Sequence, residues 1–79
     1  MATTFAAFQT LTEGEQYTVV YQEGVTVSQR FFGEATVKLC QMPGQFLAEV
    51  AYHPGRCVLL FVLAFAFSDQ NRLAPYRTN

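Results

Sequence analysis

Charge is what this chain has least of. Only 14% of its 79 residues are charged, five Lys/Arg against six Asp/Glu, for a net of −1. Nucleic-acid binders draw much of their affinity from a basic footprint, and none is visible here. The two cysteines, Cys40 and Cys57, form no Cys-x-x-Cys spacing, so no zinc or redox motif is written into the chain. Histidine occurs once, as His53, next to the Pro54-Gly55 turn. A lone turn histidine with no nucleophile or orienting carboxylate beside it is not a catalytic set. The glycines recur about every ten residues as punctuation, and they form neither a Gly-x-Gly-x-x-Gly nor a Walker loop. No apolar run reaches the roughly 18 residues of a membrane helix. The opening Met1–Phe8 lacks a basic stretch and a continuous apolar core, so no signal peptide is read there. The expectation is a cytoplasmic protein with reduced thiols, no cofactor, no metal and no membrane partner.

What the chain does have is apolar surface. Half of it is hydrophobic (51%), and a domain this small has much outside to cover. Excess apolar surface points to self-association, a homo-oligomer first and a protein partner second. It also argues against disorder.

The pattern along residues 1–79 is that of a single small β domain. Phe5, Phe8 and Leu11 recur at helical spacing behind Thr3 and Thr4, which predicts a short helix over 3–11. Residues 16–67 read as a five-stranded antiparallel meander. Its expected strands are Tyr17–Tyr21, Val25–Phe32, Ala35–Gln41, Phe46–His53 and Cys57–Phe67, with turns at Glu23-Gly24, Gly33-Glu34, Pro43-Gly44 and Pro54-Gly55. Residues 68–79 read as a polar tail. Centring the last two turns on their Pro-Gly pairs places Lys38 opposite Glu49, Val37 opposite Val50, and Val50 opposite Leu59. One apolar face then runs through Ala35, Val37, Leu39, Phe46, Ala48, Val50, Tyr52, Cys57, Leu59, Phe61 and Leu63. An odd loop length would move one strand's residues to the other face.

Two groups of residues stand out. Cys57–Phe67 is eleven residues without a charge. As a strand it presents large side chains to the core and leaves a second face that is still apolar. Val58, Leu60 and Val62 on that face, with Phe65 and Phe67 at the overhanging end, form the expected oligomer interface. In the first hairpin Tyr17 and Tyr21 fall on the same face as Arg30. That trio is a candidate ligand platform, with stacking rings and a cation.

The outline of a short helix followed by a bent five-stranded meander resembles Sm-like and SH3-like barrels. Tyr17-Thr-Val-Val-Tyr-Gln-Glu-Gly24 is similar to the first Sm strand and its turn. The likeness covers about a dozen residues and lacks the Phe-Asp and the second motif expected later. It implies a topology, a small bent sheet or SH3/Sm-like barrel, and transfers no RNA-binding residues. Three functions follow in order: a non-enzymatic oligomeric interaction or regulatory module, a single-stranded nucleic-acid-binding barrel, and a small enzyme with a site between subunits.

Overall fold

Two threonines set the N-terminal half. In a computed structural model that describes residues 2–76, Thr4 caps helix α1 (Phe5–Gln9) by accepting a bond from Ala7 N at 3.1 Å. Thr12 opens helix α2 (Glu13–Glu23) with a reciprocal capping box. Its hydroxyl accepts from Glu15 N at 3.2 Å, and the Glu15 carboxylate accepts from Thr12 N at 2.9 Å. Two acids in the first turn suit the helix dipole. Thr3 donates its backbone N–H and its hydroxyl to Glu23 at 3.0 and 2.9 Å, tying the start of the chain to the far end of α2.

Four strands follow: β1 (Val25–Phe32), β2 (Ala35–Met42), β3 (Phe46–His53) and β4 (Val58–Phe65). They form one antiparallel sheet in the order β1-β2-β3-β4. A short helix α3 (Gln70–Leu73) and a 3₁₀ turn (Ala74–Tyr76) close the described chain. The expected polar tail is therefore helical as far as residue 76, and residues 77–79 lie outside the described residues.

The sheet corrects two expectations. Tyr17–Tyr21 is helix, not a fifth strand: the Thr12–Glu15 capping box opens a helix that runs through these strand-forming Tyr, Thr and Val side chains. With β1 and β4 both at edges, the sheet is open, and the SH3/Sm-like barrel does not form. The expected helix over 3–11 is present but shorter, at Phe5–Gln9.

Register is the third correction. The β2–β3 loop has three residues, Pro43 to Gln45, with Gln45 in the left-handed region at φ 66°. That odd length shifts the pairing by one residue, so Lys38 faces Val50 and Glu49 faces Leu39. The β3–β4 loop is longer, Pro54 to Cys57, with Cys57 at φ 54°, and β4 carries a bulge at Leu60. Val50 consequently pairs with Val62 rather than Leu59. The expected single apolar face is split across two. Phe46, Ala48, Val50 and Tyr52 lie on the side covered by α1 and α2, while Ala35, Val37 and Leu39 lie on the other.

Each face has its own core. On the helix side Phe8, Val20, Cys40, Met42, Phe46, Ala48 and Val50 are buried together. Phe46 stacks on Phe5 with ring centroids 5.3 Å apart and meets Phe8 at a tilt, 5.2 Å away. On the other side Leu39, Leu47 and Phe65 are covered by Leu73 and Tyr76. Glu49 projects to that second side at 1% exposure. It accepts bonds from the Tyr76 hydroxyl and from Arg30 Nη2 at 3.4 Å, and the Arg30 guanidinium lies 5.5 Å from the Tyr76 ring centre. The C-terminal segment is thus moored to a buried carboxylate.

Candidate functional site

Helix α2 rests on β4 and β2 and leaves a space open over neighbouring residues of β1, β2 and β3. The chain passes from α2 into β1 through Gly24, where a Cβ would stand 2.8 Å from the Val20 carbonyl oxygen and 3.0 Å from Met42 Sδ. Only glycine permits that close approach. Beside it lies a cleft of about 510 Å³, within the range of small-molecule sites. Tyr17 and Tyr21, one helical turn apart, form its helix wall together with Val20. Lys38, Cys40, Val50 and Tyr52 form the sheet wall. Lys38 Nζ sits 5.6 Å from the centre of the Tyr52 ring, a cation–π contact. Cys40 Sγ lies 3.7 Å from the Thr26 hydroxyl, and burial pushes the Cys40 thiol above its ordinary pKa. Cys40 is therefore held as a neutral thiol in the cleft wall, unsuited to nucleophilic chemistry.

The expected platform of Tyr17, Tyr21 and Arg30 is half assembled. The two tyrosines share the cleft, but through a helix rather than a strand. Arg30 belongs to the opposite face, with Glu49 and Tyr76. The cation that does share the cleft with them is Lys38, which the expected pairing with Glu49 concealed.

That opposite face carries a second hollow. About 350 Å³ lies between Arg30, Phe32, Val37, Ala51, Leu60 and Phe61. Its floor is buried, yet its apolar rim is not: Phe32 is 74% exposed, Leu60 46% and Phe61 38%. The residues expected at an oligomer interface are dispersed around this region. Val58 and Leu60 lie half-exposed on the β4 edge, and Phe67 is exposed just beyond it. Val62 packs against the helix-side core, and Phe65 is buried under Leu73 and Tyr76.

His53 is more occupied than its turn position suggested. Its Nδ1 accepts from Arg56 N at 3.1 Å, which leaves Nε2 to donate to the Glu34 carboxylate at 2.9 Å. The pair links the β1–β2 turn to the β3–β4 turn, with no nucleophile in the contact. Among the described residues no group of three or more His, Cys, Asp or Glu stands together as a metal site. No described helix is long and apolar enough to cross a membrane.

No protein-family model, curated protein or solved structure matches the chain.

Proposed function

We propose that the chain is a non-enzymatic interaction module that self-associates through the part of its second sheet face that the C-terminal segment leaves open. One observation carries this reading: the rim of Phe32, Leu60 and Phe61 around a buried apolar floor of Val37 and Ala51. Three large side chains in one exposed cluster are costly in water, at roughly 25 cal/mol per Å² of apolar surface. The chain has few charges with which to offset them. Its outline supports a second copy as the occupant. The fold is a slab 34 × 32 Å across and 17 Å thick, and its broad side exceeds the roughly 800 Å² per partner of an ordinary dimer interface. The β4 edge beside the hollow, with Val58 and Leu60 half-exposed, offers unpaired backbone groups to the same partner. Cytoplasmic residence accords with an exposed free thiol at Cys57, since oxidising compartments pair or modify such groups.

Light scattering on the full chain tests the reading. The wild type is expected at twice the chain mass or more. Leu60→Glu is expected to dissociate it while the far-UV circular dichroism stays native, because Leu60 is already half-exposed in one chain. A wild type that stays monomeric at high micromolar concentration refutes self-association.

A further inference from the structure

We infer that the cleft between α2 and the sheet is a binding site for a small, flat aromatic anion, such as an aromatic carboxylate. It lies on the opposite side of the sheet from the proposed interface and is independent of it. Three features converge there. The first is three tyrosines: Tyr17 and Tyr21 on α2, and Tyr52 on β3 across the gap. Their ring faces and edges suit a planar aromatic ligand, which stacks offset or edge-to-face on such groups. The second is Lys38. It is half-buried and makes no ion pair with any carboxylate among the described residues. Its contact in the cleft is the Tyr52 ring at 5.6 Å. Its ammonium has three donors, and no carboxylate among the described residues supplies acceptors for them. An incoming carboxylate supplies them through charge-assisted bonds. The third is the remainder of the wall: Val20, Val50 and the neutral Cys40 thiol are apolar, and the polar member, Thr26, has its hydroxyl 3.7 Å from Cys40 Sγ. They accommodate the ligand's ring rather than a sugar or a hydrated phosphate.

The geometry also accounts for the polar and apolar ends. Lys38 and Tyr52 belong to the sheet wall, so the carboxylate is placed toward the sheet and the ring lies under α2. Tyr21, at 81% exposure, has little packing of its own and gains contact by covering the ligand. At about 510 Å³ the cleft admits a two-ring compound.

The test uses 2-naphthoate and its neutral counterpart 2-naphthamide, titrated into the full-length chain and followed by protein NMR shifts. Naphthoate is expected to bind saturably, with a Kd of roughly 1 mM or tighter. It should bind about tenfold more tightly than the amide, the scale of one charge-assisted hydrogen bond. Lys38→Met is expected to remove that preference and Lys38→Arg to keep it. Tyr21→Ala should weaken both compounds alike. The wild-type comparison of acid and amide stands even if a variant folds poorly. Equal binding of the two compounds, unchanged naphthoate affinity in folded Lys38→Met, or no saturable binding overturns the assignment. Light scattering on the same samples keeps this result separate from self-association, which the cleft variants should leave unchanged.

Discussion

Replacing Tyr76 with phenylalanine removes a single oxygen atom, and its surroundings indicate the cost. The hydroxyl donates to Glu49, a carboxylate 1% exposed on the side of the sheet away from the helices. The other donor to that carboxylate is Arg30 Nη2, at a long 3.4 Å. Phenylalanine keeps the ring against Arg30 and leaves Glu49 with the weaker donor alone. A hydrogen bond to a charged group contributes about 1.5–3 kcal/mol net, and the loss should fall in that range. For a domain this size it corresponds to a fall in Tm of roughly 6–24 °C. Urea and thermal unfolding followed by circular dichroism measure it directly. The same substitution has a pH signature. Burial, and then the bond to Glu49, raise the Tyr76 phenol above its ordinary value, which is about 10. Stability from a raised pKa is fully present below the unfolded value and is lost as pH climbs toward the folded one. The gap between wild type and Tyr76→Phe should therefore narrow above about pH 10. A substitution that costs under about 0.5 kcal/mol at neutral pH, the scatter expected of an ordinary surface change, refutes the view that Tyr76 moors the C-terminal segment to Glu49.

Two further predictions concern the helix side. A Cβ on Gly44 would stand 2.1 Å from the Thr3 carbonyl oxygen, so Gly44→Ala must displace the segment that binds Glu23. It should destabilise by about 1–3 kcal/mol, whereas Gly14→Ala, with open space around its Cβ, should be neutral or mildly stabilising; equal effects in urea titrations would refute the close packing of Thr3 on Gly44. Cys57 is exposed and Cys40 buried with a raised pKa, so iodoacetamide should modify one thiol quickly and the second only on denaturation, and mass spectrometry showing both modified at one rate in the native state contradicts this placement.

Local chemistry made much of this fold legible. The strand at Val25–Phe32 is where the alternation and flanking turns place it. Those at Ala35–Met42, Phe46–His53 and Val58–Phe65 begin or end within two residues of expectation. Gly33-Glu34 is a two-residue hairpin turn with Gly33 at φ 61°. The helix α2 was also written in the chain, as Thr12-x-x-Glu15. Its signal is hidden by strand-forming Tyr, Thr and Val residues and by weak amphipathicity. With α2 misplaced, Tyr17 and Tyr21 joined the wrong cation. Their true neighbour, Lys38, was spent on a pairing with Glu49 that the register does not make.

Short stretches of the sequence carry four of the five expected strands, their order as a meander and the surplus of apolar surface. Period-two alternation, turn residues and composition are properties of short stretches. The tertiary structure decided which side of the sheet each residue faces. One left-handed residue, Gln45, made a loop odd in length. A single-residue shift then sent Lys38 to the tyrosine cleft and Glu49 to Tyr76, because side chains in a strand alternate strictly between two faces. No local pattern records that choice. It depends on what packs above and below, which here is α2 on one side and the C-terminal turn on the other.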